Sequence, residues 1–224
     1  MKQWERLAES QAPDGEALEL LRRDREYLIR AGGYDLMSSL DDQSSIALAE
    51  LGCAHLRREQ PARVLVGGLG MGFTLRAALD AVGPEAIVEV AELVDAVADW
   101  NREFLGSLAG EPLTDGRSRL RIEDVAEIIG AAKSHYDAIL LDVDNGPDAL
   151  AHDHNDGLYG HRGIDAAWRA LRPGGVLGVW SFSDDARFTK RLRKRGFAAE
   201  AKRVAASRKG RGRKHVIFIA QKKR

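Results

Sequence analysis

The chain has 224 residues, of which 44% are apolar and 30% are charged, and this composition is typical of a globular protein with one core and a small appendage. No apolar run approaches the length of a membrane span, and the first residues, M-K-Q-W-E, predict no signal peptide. The only cysteine, Cys53, excludes an internal disulfide, and we expect a reducing compartment, the cytoplasm. Because Cys53 lies in an apolar helical run, it is predicted to be a core residue and not a nucleophile.

The net charge of zero hides a separation of charge along the chain. Residues 187–224 hold 16 Lys and Arg but a single acidic residue, Glu200. Such a segment is typical of a surface that binds nucleic acid or an acidic partner, and the glycines within Arg208–Lys214, R-K-G-R-G-R-K, predict a mobile basic loop. The cations between Lys190 and Arg195 are also typical of the solvated face of a helix, which is the interpretation we favour there.

The N-terminal part of the chain predicts a small antiparallel unit. Residues 1–15 are expected to form a short polar helix or arm that ends at a Pro-Asp-Gly turn. From Ala17 to Leu40, three short apolar runs separated by turn residues predict a β-meander. A helix over Ser44 to Arg57 would connect the meander to the main sheet. We therefore predict two parts, an arm with a meander over residues 1–43 and a larger domain over residues 44–224.

From Arg63 onward, predicted strands and helices alternate, which indicates a doubly wound, Rossmann-like α/β fold. A long polar loop from Asp144 to Gly160 follows the fourth strand, which we expect to be the most buried one. The seven predicted strands are Val64–Gly67, Ala86–Ala91, Arg119–Ile122, Tyr136–Leu141, Val176–Trp180, Ala198–Val204 and His215–Ala220. The predicted helices are Thr74–Val82, Ala96–Leu108, a helix that ends at Ala132, Ile164–Leu171 and Ala186–Arg195.

The glycine-rich stretch after the first of these strands is the clearest sign of a ligand site. Gly68, Gly70 and Gly72 stand between a buried strand and a helix, where glycines let the backbone approach a ligand closely. Their spacing is G-x-G-x-G and not the dinucleotide pattern G-x-G-x-x-G, because Phe73 stands where the last glycine would be. The alternative is an ordinary glycine-rich turn between a strand and a helix.

Acidic residues end the neighbouring strands at the same predicted edge of the sheet, where open α/β sheets bind their ligands. Glu92 ends the second strand and is placed to accept hydrogen bonds from both ribose hydroxyls of a nucleoside. Asp124 follows the third strand and is placed to accept from an adenine amino group, while the amide of Val125 offers a donor to the ring. Asp142 follows the fourth strand. Together these residues predict an adenosine-type ligand. The alternative is that each carboxylate caps the helix that follows it, and for Asp124 the two roles are equally favoured.

Several motifs give the chain a family resemblance: R-V-L-V-G-G-L-G-M-G, V-E-V-A-E-L with A-D-W-N-R-E-F, E-D-V-A-E, Y-D-A-I-L-L-D-V-D-N-G-P, N-D-G-L-Y and L-R-P-G-G-V-L. They resemble the spermidine synthase family, a branch of the class I S-adenosylmethionine-dependent methyltransferase fold. The resemblance runs from about Leu18 to the C-terminus and implies a seven-stranded sheet with an N-terminal β-meander, and a homodimer.

The same resemblance implies roles for individual residues. The three loop glycines, Gly68, Gly70 and Gly72, would pass under the methionine-like tail of S-adenosylmethionine or its decarboxylated form. Glu92 would hold the ribose, Asp124 and Val125 the adenine, and Asp142 would lie beside the reacting centre. Members usually carry an Asp within the glycine loop that holds the cofactor's amine, and here its place is taken by Gly70. The Tyr-His pair expected before Glu50 is replaced by Leu48 and Ala49, and the Gln of the meander by Leu36 or Met37.

Transfer of an aminopropyl group needs a neutral amine as the nucleophile, so a carboxylate must accept its proton. Asp142 and Asp144 are the predicted catalytic residues, and Asp144 also the predicted substrate ligand, because the loop after the fourth strand is rich in carboxylates. The excess of acidic groups favours a small cationic amine as the acceptor. Methyl transfer needs the same base and the same in-line geometry, so the residues alone do not separate the two reactions. Tyr159 and Trp180 are predicted to shape the acceptor pocket, with a core role as the alternative for Trp180.

Three further alternatives stay open at this point. The basic loop Arg208–Lys214 favours a methyltransferase that acts on RNA, although no aromatic target-base motif follows the fourth strand. A nucleoside-binding dimer without catalytic activity is the second. The third is a divalent ion at His152-Asp153-His154-Asn155-Asp156, which has suitable ligand types; we predict no metal there, because consecutive loop residues rarely converge on one ion.

Overall fold

The computed structural model describes residues 3–13, 15–143, 156–207 and 213–223, and within these residues the strands form two sheets. The smaller sheet contains β1 (Glu5–Gln11), β2 (Ala17–Arg23), β3 (Glu26–Ala31) and β4 (Tyr34–Ser38). The larger sheet contains β5 (Arg63–Gly67), β6 (Ile87–Glu92), β7 (Ser118–Ile122), β8 (Tyr136–Leu141), β9 (Leu171–Ser181), β10 (Ala198–Ala205) and β11 (Lys214–Gln221). The helices are α1 (Gln43–Cys53), α2 (Phe73–Ala81), α3 (Asp95–Trp100), α4 (Val125–Ala131), α5 (Asp156–Tyr159), α6 (His161–Ala170) and α7 (Ala186–Arg195).

The larger sheet has the strand order β10-β11-β9-β8-β5-β6-β7 in the described part of the chain. Five neighbouring strands, β7, β6, β5, β8 and β9, run parallel, and β11 is antiparallel to both β9 and β10. Strand order reverses at β5, with β6 on one side and β8 on the other, so a crevice forms beyond the carboxyl ends of these three strands. The predicted doubly wound fold with a seven-stranded sheet is confirmed, and the glycine loop lies at the reversal point.

The smaller sheet contains the predicted meander and one strand more. Its three predicted strands are present as β2, β3 and β4, but the expected polar helix or arm before them is wrong, because Glu5–Gln11 is the strand β1. This strand pairs antiparallel with β2 and carries ion pairs across the two strands, Arg22 with Glu5 at 2.8 Å and Arg6 with Glu19 at 3.1 Å. An exposed, charged edge strand has no apolar alternation, so its sequence does not reveal its partner.

The smaller sheet packs directly on the larger domain. Leu20 and Ile29 of the meander belong to the same buried cluster as Leu48 of α1 and Leu140 of β8.

The helix predicted over Ala96–Leu108 is shorter than expected, because α3 ends at Trp100 and the chain continues as a π-helical turn over Asn101–Leu105. Across the described residues, no helix combines the length and apolar character needed to cross a bilayer.

Candidate active site

The glycine loop lies against the backbone that leaves β8. A Cβ atom on Gly68 would stand 2.4 Å from the carbonyl oxygen of Asp142, far inside van der Waals contact. Gly68 also has a φ of +86°, a region that L side chains rarely adopt. The amide of Asp142 in turn donates to the carbonyl of Gly67 at 2.9 Å. The glycine therefore lets two strand ends meet, and this brings Asp142 beside the loop.

The rest of the loop is held from two other elements. Met37 of β4 packs on Gly70, where a Cβ atom would lie 2.7 Å from the methionine methyl group and 2.9 Å from its sulfur. From the π-helical turn, the Asn101 side-chain amide donates to the carbonyl of Gly70 at 2.7 Å and to that of Val97 at 2.9 Å. Leu69 and Met71 are both buried, so the described side chains of this loop are apolar.

Glu92 stands beside the loop at the end of β6, as the sequence predicts. One carboxylate oxygen accepts from the amide of Leu69 at 3.0 Å, and the other accepts from the amide of Val94 at 3.0 Å. A carboxylate has about four acceptor positions, so both oxygens keep capacity for further donors. Glu92 thus fixes the loop and still has acceptors to offer to a pair of hydroxyl groups.

Asp124 and Val125 occupy the start of α4. The Asp124 carboxylate accepts from the amide of Ala126 at 2.8 Å and therefore caps the helix, which is one of the two roles that the sequence allowed. Val125 is the first residue of the helix, where helix geometry provides no intrahelical acceptor for the amide. Near these residues, the apolar side chains of Leu93 and Ile122 are 53% and 50% exposed at the ends of β6 and β7. Two exposed apolar side chains beside acidic acceptors are suited to a flat base with polar edges.

Asp142 is the charged centre of the site. Its carboxylate accepts hydrogen bonds from the hydroxyls of Thr74, the second residue of α2, and Ser45, in the first turn of α1. Burial raises the pKa of Asp142 above its usual range, and the hydrogen bonds from Thr74 and Ser45 partly oppose this shift. A carboxylate with a raised pKa is a better proton acceptor than an ordinary one, so the environment is suited to a general base.

The structure places the two predicted aromatic residues in packed positions. Tyr159 is fully buried and its hydroxyl donates to the carbonyl of Val143 at 3.1 Å. Trp180 donates its indole N–H to Ser44 at 3.0 Å and packs against the ring of His215, which agrees with a core role. Their contact with an acceptor stays a prediction.

Other predicted features lie outside the described residues. They include Asp144, most of the His152–Asp156 motif and most of the basic loop, residues 208–212. Within the described ranges, no three His, Cys, Asp or Glu side chains converge as a metal site. Cys53 is buried, and burial raises the pKa of its thiol to about 12, as expected for a core residue.

Three residues of the site were not found from the sequence, Ser45, Thr74 and Asn101, whereas Met37 was named only as one of two residues in place of the meander's Gln. Their contacts join segments that lie far apart in the chain, and a hydroxyl or amide at a helix start is too common to stand out. The π-helical turn that carries Asn101 is a feature often found near functional sites, but its sequence resembles an ordinary helix. Leu93 and Ile122 could have been found from the sequence, since each is an apolar residue within two positions of a predicted acidic ligand.

Comparison with known proteins identifies a family and several similar chains. The family model described as spermine/spermidine synthase domain matches residues 47–190. A polyamine aminopropyltransferase of Prochlorococcus marinus (strain MIT 9313) is 33% identical over 125 residues, which are 55% of this chain and 42% of that protein. The chain therefore aligns with less than half the length of this curated relative.

Solved structures share the fold. The spermidine synthase from Thermotoga maritima superposes with a TM-score of 0.75 at 20% identity, over 97% of this chain and 72% of that one. A spermidine synthase in complex with the transition state analogue AdoDATO gives a TM-score of 0.73 at 20% identity, with the same shares of the two chains. From the family match over residues 47–190, together with the fold, the chain belongs to the spermine/spermidine synthase family.

Proposed function

We propose that this protein is a transferase that binds the adenosine part of S-adenosylmethionine or its decarboxylated form and, with the decarboxylated form as the donor, transfers an aminopropyl group to a small cationic amine. The observation that carries the proposal is the position of Asp142, a half-buried carboxylate with a raised pKa beside the glycine loop. The site fits such a donor, because Glu92 keeps free acceptor positions and Leu93 and Ile122 expose apolar surface next to Asp124.

In the proposed reaction the chain's residues bind, orient and accept a proton. Glu92 accepts from the two ribose hydroxyls, and Asp124 with the amide of Val125 meets the polar edge of the base. The glycine loop keeps the backbone close to the sulfonium. Asp142 takes the proton of the acceptor's ammonium, so that the nitrogen lone pair forms the new C–N bond while the C–S bond breaks and methylthioadenosine leaves.

Methyl transfer is the alternative reaction at the same site. It needs the same base and differs in which carbon of the sulfonium faces the acceptor. The aminopropyltransferase named above supports the first reaction. The apolar lining by Met37, Leu69 and Met71 does not separate the two reactions, because the intact and the decarboxylated donor both carry an ammonium group on this tail. Asp144 would hold the acceptor's charge in either case, and Tyr159 and Trp180 would border its pocket.

The deciding experiment is calorimetric titration of the purified protein with S-adenosylmethionine, decarboxylated S-adenosylmethionine and methylthioadenosine. Tighter binding of the last two by tenfold or more supports aminopropyl transfer, which is then assayed with diamines as acceptors. Preference for intact S-adenosylmethionine supports methyl transfer. Failure of all three ligands to bind contradicts both reactions, and a binding protein without turnover would support the non-catalytic alternative.

Two partners complete the proposal. We propose a homodimer, because Tyr34, Leu36 and Leu40 expose apolar side chains at 83%, 52% and 58% on or just after β4, an edge strand. We also propose nucleic acid as a second partner. Its support is the exposed cations Arg187, Lys190 and Lys194 on α7, which have no acidic partner among the described residues. A cytoplasmic location stays a prediction.

A further inference from the structure

A buried hydrogen-bonded cluster lies next to the candidate site, and two of its three members, Ser44 and His215, have no part in the reaction described above. Its centre is Ser44, in the first turn of α1. The Ser44 oxygen lies 3.0 Å from the indole nitrogen of Trp180 on β9 and 2.9 Å from Nδ1 of His215 on β11. His215 is only 5% exposed. One hydroxyl therefore ties the helix start to two neighbouring strands of the larger sheet.

The protons of this cluster can be assigned from its donors. An indole N–H only donates, so the Ser44 oxygen accepts from Trp180. We assign the single proton of the Ser44 hydroxyl to the bond with Nδ1 of His215, which requires a neutral ring with its proton on Nε2; among the described residues Nε2 has no hydrogen-bond partner. Burial, and next the charge of Arg213, lower the pKa of His215, while Asp41 opposes them. The rings of Trp180 and Phe182 cover the imidazole and carry no charge.

The same turn of α1 contacts the candidate site. Ser45 is the residue that follows Ser44, and its carbonyl oxygen lies 3.4 Å from the Thr74 hydroxyl, which donates to Asp142. A hydrogen bond from the Ser45 side chain is also among the causes that lower the pKa of Asp142. Gln43, the residue before Ser44, donates its backbone amide to the carbonyl of Ala206, the residue that follows β10, at 3.1 Å. The β10–β11 pair thus holds the turn at two consecutive residues, and the third residue reaches Asp142.

We propose that His215 is a positioning residue for the active site. Its neutral imidazole holds Ser44, this contact fixes the first turn of α1, and the fixed turn keeps Ser45 in hydrogen-bonding contact with Asp142. The catalytic meaning of this arrangement rests on the proposed function, because that is where Asp142 becomes the base. The mechanical link from His215 to Asp142 does not depend on it.

The test is the titration of the Asp142 carboxyl, followed by carbon NMR in the full chain. His215→Leu and Ser44→Ala remove the link, so the hydrogen bond from Ser45 is weakened and the pKa of Asp142 rises by about one pH unit. His215→Asn keeps an acceptor near the position of Nδ1 and is expected to return the wild-type value. An unchanged pKa in Ser44→Ala overturns the proposal. Ser44→Ala removes a single oxygen atom and is expected to keep the fold. It therefore tests the proposal even if His215→Leu unfolds the chain.

A double variant tests the route. If His215 acts through Ser44, then Ser44→Ala with His215→Leu shifts the Asp142 titration no further than Ser44→Ala alone. Additive shifts would overturn the route through Ser44. The NMR reading also separates this proposal from the proposed function, because it needs no turnover. An Asp142→Asn variant with undiminished transferase activity would sink the proposed base, while the shift in Ser44→Ala would still establish the link.

Discussion

The Thr74 hydroxyl, at the start of the helix that follows the glycine loop, donates a hydrogen bond to the carboxylate of Asp142. The helix that begins at the cofactor loop therefore also holds the proposed base. Burial raises the pKa of this base, and Thr74 limits the rise. Both the position and the protonation state of Asp142 thus depend on neighbours from two helices.

The first prediction concerns Asp142→Asn. The variant has no carboxylate to accept the acceptor's proton, so the transfer rate is expected to fall at least about 100-fold. Methylthioadenosine has no ammonium group that could give a proton to Asp142. The affinity for it should therefore change less than about threefold. Initial rates and calorimetry measure the two quantities, and a rate loss matched by an equal loss of affinity would contradict the base role.

The ionisation of Asp142 predicts how the transfer rate and the free energy of unfolding change with pH. The wild-type rate should fall as the pH drops through a pKa above the usual range of Asp, because the protonated carboxyl is no base. For stability, a carboxyl with a raised pKa binds more protons in the folded than in the unfolded chain. The contribution of Asp142 to the free energy of unfolding is therefore most favourable below its unfolded pKa and is lost as the pH rises through its folded pKa. Asp142→Asn should remove this part of the pH dependence in urea unfolding.

The second prediction concerns Glu92→Gln. An uncharged amide accepts weaker hydrogen bonds from the ribose hydroxyls than a carboxylate does, and affinity for methylthioadenosine should fall about 10- to 100-fold. Adenine without ribose provides the matched control, since the variant and the wild type should bind it alike. Equal losses for adenine and the nucleoside would mean that Glu92 acts by holding Leu69 and Val94, and not by binding ribose.

The sequence predicted the strand ends well and the contacts between them poorly. Glu92, Asp124 and Asp142 were placed correctly, because an acidic residue after an apolar run marks the carboxyl end of a strand. Ser45 and Thr74 were not found, because their contact with Asp142 joins three segments through the folded chain. The polar strand β1 was missed for a related reason, since its stabilising partner is another strand and not its own apolar face.

The third prediction concerns Gly70. Gly70→Ala places a methyl group within 2.9 Å of the Met37 sulfur at a φ of +50°, which should destabilise the fold by about 1 to 3 kcal/mol. Met37→Ala in the same chain should relieve the steric part and leave the backbone part, about 1 to 2 kcal/mol. Urea unfolding of the two single variants and the double variant measures the coupling. Strictly additive effects would show that Met37 does not rest on the loop in solution.

The fourth prediction concerns the proposed homodimer. Leu36→Lys introduces a charge into the exposed apolar strand β4 and is expected to convert a dimer into a monomer in light scattering, because a buried unpaired charge is costly. Ala201→Lys is the control, as it adds the same charge to an exposed position of β10, the edge strand of the larger sheet. A wild-type monomer, or a dimer that both variants leave intact, would contradict an interface at β4.

The last prediction concerns the cations of α7. Each phosphate contact that is lost lowers the slope of log affinity against log salt by about 0.7 for a single strand. The double variant Lys190→Gln with Lys194→Gln should therefore reduce the slope for a single-stranded RNA by about 1.4. The pair Arg25→Gln with Lys133→Gln removes the same charge from exposed positions elsewhere, and its slope should match the wild type. A slope that falls equally in both double variants reports net charge alone, and no measurable RNA binding by the wild type would exclude this partner.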